Sequence, residues 1–133
     1  MDADKLPDAS TLPELVSQLV ACYYKKDFDP LVEHLTSDCL FIGAGSDVSY
    51  GVRNLAETIM ANSSIPTYLV REPRFRLIST SSPLEAVVAG FYTIYSDADH
   101  KMLSSEKQRI TVNCRWEDGL WKAYLVHAST EWG

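Results

Sequence analysis

The hydrophobic period changes from near four to two at about residue 66, and that change constrains the fold more than any other feature of the chain. Beyond it, strands are predicted at about 67–79, 84–97, 104–117 and 120–131. Ser81-Ser82-Pro83, Asp97-Ala98-Asp99-His100 and Glu117-Asp118-Gly119 supply the turns between them. No helical pattern separates these strands, so each should return antiparallel to the last; a parallel sheet needs a long crossover after every strand. The 84–97 strand is apolar on both faces and is expected inside the sheet. The 104–117 strand alternates, with Ile110, Val112, Cys114 and Trp116 facing away from Arg109, Thr111, Asn113 and Arg115.

The first half reads as helical. Residues 1–10 form a polar tail, and residues 11–133 one domain. Thr11-Leu12-Pro13-Glu14 has the spacing of a capping box, with Pro13 in the first turn where no helical donor is lost. Leu12, Leu15, Val16, Leu19, Val20 and Tyr23 then recur at three and four, giving one apolar stripe to about Lys26. A second, short helix is expected over about 29–37, turning Leu31, Val32 and Leu35 inward. Cys39 to Gly43 reads as a short apolar strand running into a glycine-rich turn, and Gly51 to about Asn62 as a third helix. Three helices on one face of a bent antiparallel sheet is the α+β arrangement consistent with this order.

Composition removes several function classes. The chain of 133 residues carries a net charge of −6, which on average repels a phosphate backbone, and no nucleic-acid partner is expected. Arg71, Arg74 and Arg76 are interrupted by Glu72 and Pro73 and read as a solvated strand face. No apolar run approaches the roughly 18 residues of a membrane span, so no membrane partner is expected. The acidic N-terminus lacks a signal-peptide pattern, which makes the cytoplasm the expected location. Cys22, Cys39 and Cys114 are odd in number and widely spaced, as small buried apolar residues rather than a disulfide framework or zinc site. No metal and no cofactor are expected.

The order of elements resembles the nuclear-transport-factor-2-like, or SnoaL-like, cone fold over about residues 12–131. The stretch Leu19 to Asp38, with its Asp27-Phe28-Asp29 break, is similar to the family's opening. Phe41-Ile42-Gly43-Ala44-Gly45 followed by Tyr50-Gly51 is similar to its strand and loop. Gln108 to Thr111, Trp116, Asp118-Gly119-Leu120-Trp121 and His127-Ala128-Ser129 resemble its last hairpin. That hairpin also resembles the association domain of calmodulin-dependent kinase II. The resemblance implies a cone whose pocket is lined by Tyr23, Phe41, Ile59, Tyr92, Ile94, Cys114, Trp116 and Tyr124. It implies pairing of two copies through the convex sheet face, at Phe91, Tyr95, Arg109, Thr111, Trp121, Leu125 and His127.

The fold hosts enzymes, binders and assembly modules, so the residues must decide between them. A ketosteroid isomerase of this shape needs a carboxylate base and two oxyanion donors, a Tyr and a protonated acid. The resemblance sets those positions on Gly43, Leu19 and Val112, none of which can serve. No catalytic residue is assigned. The preferred expectation is a dimeric domain binding a small, largely apolar or aromatic ligand. One rival is a lyase- or isomerase-type cavity enzyme using Tyr23, Tyr92 or His127 as the proton group; the other is an oligomerisation module whose cone is filled.

Overall fold

In the computed structural model, which describes residues 7–43, 48–51, 53–55, 57, 68–78, 82–96 and 105–130, a 3-10 turn at Ala9–Thr11 leads directly into helix α1 (Leu12–Lys25). Leu12, Val16 and Val20 are buried along one stripe of α1, and Leu15, Leu19, Tyr23 and Tyr24 pack partly buried beside it. The expected capping box does not form. Thr11 is already helical, at φ −87° and ψ −6°, and its side chain caps nothing. A cap needs extended backbone at that residue, and the preceding turn removes it. Asp8 takes the role one turn earlier, accepting from the Ser10 N–H at 2.9 Å. Left-handed Lys26 (φ 62°) ends α1, its N–H reaching the Tyr23 carbonyl at 3.2 Å.

Helix α2 (Phe28–Glu33) is shorter than the expected 29–37, and strand β1 (Leu35–Ile42) starts two residues after it. Val32 is 48% exposed rather than turned inward, while Leu35 is buried as a strand residue. The helix stops because the following backbone has a better partner in the last strand. The Ala123 N–H donates to the His34 carbonyl at 2.8 Å, and Leu35 sits opposite Ala123.

Strand β2 (Val48–Tyr50) pairs antiparallel with β1. The remaining strands are β3 (Tyr68–Ile78), β4 (Glu85–Ser96), β5 (Ser105–Glu117) and β6 (Leu120–Thr130), each within one residue of its expected bounds. Asp118 and Gly119, at φ 55° and 78°, close the β5–β6 hairpin in the left-handed conformation that a two-residue turn favours. Among the described residues, six strands form one sheet in the order β2-β1-β6-β5-β4-β3. β4 is interior, as expected. The sheet is mixed rather than wholly antiparallel, because β1 runs parallel to β6. More than half of the chain lies between those two strands, so the crossover a parallel pair needs is already present. Residues 51, 53–55 and 57 are helical, with Leu55 buried; the rest of the expected third helix, Ile59 included, lies outside the described residues. Among the described residues, no helix is long and apolar enough to cross a membrane.

The inner sheet face follows period two through Ala86, Val88, Tyr92 and Ile94 on β4 and through Ile110, Val112 and Cys114 on β5. β6 breaks the period. Asn113 pairs with Leu125 but Cys114 pairs with Ala123, leaving Tyr124 as the extra residue of a bulge. The inner face of β6 is therefore Trp121 and Ala123 below the bulge and Val126 and Ala128 above it, all buried.

Candidate functional site

Helix α1 crosses the inner sheet face without filling it. Between them lies a cavity of about 70 Å³. One water occupies roughly 10–15 Å³ of such space, so the cavity suits a few waters or one small organic molecule. α1 supplies Val16, Leu19, Val20, Tyr23 and Tyr24 to the wall, β5 supplies Ile110 and Val112, and β6 supplies Ala123, Val126 and Ala128. Tyr92, Phe41, Gly43, Leu31, Leu35 and Leu55 complete it.

Four aromatic rings of the wall form a continuous arc, and a fifth, Phe75, adjoins it without lining the cavity. Phe41 stacks on Tyr23 at 5.3 Å, Tyr23 meets Tyr24 edge-on at 5.1 Å, Tyr24 meets Tyr92 at 5.7 Å, and Phe75 lies 6.2 Å from Tyr92. Such offset and edge-on pairs hold the rings in fixed orientations. Within the arc, the Tyr24 and Tyr92 hydroxyls share a hydrogen bond at 3.0 Å. Burial, only partly offset by that bond, pushes the Tyr92 phenol up to about 12. At neutral pH this hydroxyl is a hydrogen-bonding group and not a base. Leu19, Gly43 and Val112, the positions where the resemblance sets an isomerase's donors and base, all line the cavity. They bring hydrocarbon or nothing to it.

Of the residues expected in the pocket, Tyr23, Phe41 and Tyr92 meet at the cavity wall. Ile94 and Cys114 face inward but are packed into the core beyond it. Trp116 lies at the far end of β5, 37% exposed, its ring edge-on to Trp121 at 5.5 Å. Tyr124 leaves the inner face at the bulge and sits under the Arg115 guanidinium at 5.4 Å. Tyr24 was missed by sequence reasoning, although Val16, Val20 and Tyr24 recur at a spacing of four.

The expected outer-face set divides as well. Phe91, Arg109, Thr111 and His127 are exposed, and Tyr95 and Leu125 half-buried. Trp121 is only 5% exposed and belongs to the inner side, because the bulge reverses the alternation below Tyr124. Its indole N–H donates to the Asp8 carbonyl at 3.1 Å. His34 Nδ1 lies 3.0 Å from the Trp121 carbonyl, which only accepts, so Nδ1 carries the proton. That imidazole is a structural tie between the α2–β1 junction and β6. His100 lies outside the described residues.

Cys39 and Cys114 are buried free thiols. Burial first, and then Asp38 beside Cys39 and Cys39 beside Cys114, pushes them up to about 11 and about 12. With Tyr92 they set an alkaline limit. In the unfolded chain these groups ionise from their ordinary values near 9 and 10, while the fold keeps them protonated. Their contribution is complete below about pH 9 and is lost as pH rises toward 12. Melting temperature should therefore fall steadily above pH 9, and Cys114→Ala should flatten that slope; an unchanged slope would contradict the assignment. Among the described residues, no group of three His, Cys, Asp or Glu could hold a metal ion.

A helix over a mixed sheet, with an apolar cavity between them, defines an α+β pocket domain. Solved structures give the class its name. A ketosteroid isomerase-like protein from Erwinia carotovora atroseptica SCRI1043 superposes with a TM-score of 0.71 at 14% identity, covering 98% of this chain and 99% of that one. An NTF2-like protein of unknown function from Pseudomonas putida KT2440 gives 0.74 at 14% identity, covering 93% and 87%. A hexachlorocyclohexane dehydrochlorinase, LinA-type3, from Novosphingobium barchaimii LL02 gives 0.77 at 14% identity, covering 99% and 92%. No protein-family model and no curated protein sequence matches the chain. The chain has the nuclear-transport-factor-2-like, SnoaL-like fold.

Proposed function

We propose that the protein binds a small, flat, largely apolar molecule with one oxygen function in the cavity between α1 and the sheet. The observation that carries this reading is the cavity itself: hydrocarbon and aromatic walls with the hydrogen-bonded Tyr24–Tyr92 pair set into them. Ligand sites of this kind take most of their affinity from apolar contact and use a few polar groups to orient the ligand. A phenol both donates and accepts, so the pair suits a ketone, a phenol or an ether.

Two features favour binding over acid–base turnover. No carboxylate or imidazole stands among the described residues of the wall, and Tyr92 keeps its proton at neutral pH. Of the three proton groups open to the rival enzyme reading, Tyr23 and Tyr92 stand in the wall, whereas His127 is exposed and absent from it. An open cavity likewise weighs against a purely architectural module, whose cone would be filled.

The test is a titration of the ¹⁵N-labelled protein with para-cresol and with indole, followed by amide shifts. Shifts should concentrate at residues 16–24, 92, 110–112 and 123–128, and Val112→Phe should weaken binding at least tenfold by filling the space. Tyr92→Phe should weaken para-cresol by about 2–10-fold, the net worth of one hydrogen bond. Shifts confined to the surface, or unchanged by Val112→Phe, would contradict the reading.

A further inference from the structure

Among the described residues, no Lys, Arg, His, Asp or Glu side chain lines the cavity. Of the chain's 12 Lys and Arg residues, Lys5 and Lys101 lie outside the described residues, and none of the others stands in the wall. Lys25 is exposed at the end of α1, and Arg53 is exposed and sits 3.8 Å from Glu57. Arg115 pairs with Asp38 and Glu117, and Lys122 with Asp118. His34 is tied to the Trp121 carbonyl, and His127 is exposed. The sequence enforces the same exclusion. From Cys39 to Thr67, the stretch that brings Phe41, Gly43 and Leu55 to the wall, Arg53 is the sole basic residue.

The titratable groups that do face the cavity are phenols, Tyr23 and Tyr24 from α1 and Tyr92 from β4. Through residues such as Leu31, Leu35, Val112 and Val126, the described parts of α2, β1, β5 and β6 present only carbon to it. The Cys39 and Cys114 thiols are buried outside the wall, and burial keeps them protonated. An anion entering such a space sheds its water and meets no counter-ion, which strongly favours the protonated form of an acid. The Tyr24–Tyr92 pair compensates little. Its mutual bond already uses one of the two hydroxyl protons, leaving at most one for a ligand oxygen. The wall's own phenol gives the scale: with that bond in place, burial pushes Tyr92 from 10.0 up to about 12. The phenolate is thus disfavoured about a hundredfold there relative to water. The chain's net charge of −6 opposes an incoming anion further.

We propose that the cavity takes an acidic ligand, such as a phenol, only in its protonated, uncharged form, so that occupancy follows the ligand's own ionisation and not a titration of the protein. This inference rests on the binding reading above and sharpens its ligand class. Neutral phenols, ketones and ethers enter, whereas phenolates and carboxylates of the same size do not.

The test is ¹⁹F NMR of 2,6-difluorophenol with the full chain. This ligand is close to para-cresol in size, ionises near neutrality, and reports by its fluorine shift which form is bound. Para-cresol, which ionises above the range tested, is titrated in parallel and should displace it. From pH 6 to pH 9 the apparent affinity for 2,6-difluorophenol should fall at least tenfold, along the free ligand's ionisation curve. The bound signal should remain that of the neutral phenol, and the affinity for para-cresol should change less than twofold. Four results would overturn the proposal: equal or tighter binding of 2,6-difluorophenol at pH 9, a bound signal at the phenolate position, a parallel fall for para-cresol, or no binding at pH 6 where para-cresol binds. A protein that binds neither phenol at pH 6 would overturn the cavity reading itself, which separates the two failures.

Discussion

Gly90→Ala is expected to lower the melting temperature by about 10 °C or more, or to prevent folding. Gly90 lies inside β4 on the side facing the core, opposite Phe75 of β3. A Cβ there would overlap the Arg74 carbonyl oxygen and come within 2.8 Å of the Phe75 Cα. Both obstacles are backbone, so no rotamer change relieves them. β3 reaches this point just after its register shift between Arg71 and Arg74, which brings its backbone over the glycine. Overpacking a core commonly costs about 1–3 kcal/mol and more where the backbone must move. A cost of about 3 kcal/mol corresponds to roughly 10 °C in a domain of this size. Gly119→Ala provides the contrast. Nothing lies within 4 Å of its Cβ, and only its φ of 78° is unfavourable, which predicts a loss of about 1 kcal/mol. Thermal denaturation of the two variants separates the cases, and a Gly90→Ala protein melting within 2 °C of wild type would contradict the close approach of β3.

Trp121→Ala is the second large effect, at about 3–5 kcal/mol. The indole is 5% exposed and packs edge-on against Trp116 at 5.5 Å. Its N–H holds the turn before α1 through the Asp8 carbonyl at 3.1 Å. Truncation therefore removes core volume and detaches the start of the helix that roofs the cavity. Trp121→Phe keeps most of the volume and loses the hydrogen bond, for a cost nearer 1–2 kcal/mol. Urea denaturation should rank wild type above Phe and Phe well above Ala. A loss under about 1 kcal/mol for Ala would place Trp121 on the solvent side, where strict alternation had set it.

These two residues also show what the sequence reveals and what it hides. Asp118-Gly119 and the period-two runs are local signals, and the strands they define fall within a residue of expectation. The bulge at Tyr124 has no such signal. Neither Gly nor Pro marks it, and it exists only in the pairing of β6 with β5. One unmarked residue reverses the faces, which is why Trp121 turned inward and Tyr124 outward. The early end of α2 is hidden for the same reason: Leu31 and Leu35 are spaced as on a helix, but Leu35 answers to Ala123, far along the chain. The cavity was legible in its aromatic wall, through Tyr23, Phe41 and Tyr92, and illegible as empty space. Val16, Ile110 and Ala128 are residues that fill cores elsewhere, and nothing in their identity marks the room left between them. Leu19, Gly43 and Val112, where the resemblance sets an isomerase's donors and base, stand together in the wall, a convergence that no local pattern marks.

If this wall encloses the proposed site for a small, weakly polar molecule, a halogenated phenol will enter it. Crystals of the protein soaked with 4-bromophenol test it directly, since anomalous scattering locates the bromine without reference to the protein's shape. A bromine peak is expected between Val16, Val112 and Val126, with the phenol oxygen within hydrogen-bond reach of the Tyr24–Tyr92 pair. A cavity closed by its own side chains, or bromine found only on the surface, would contradict it.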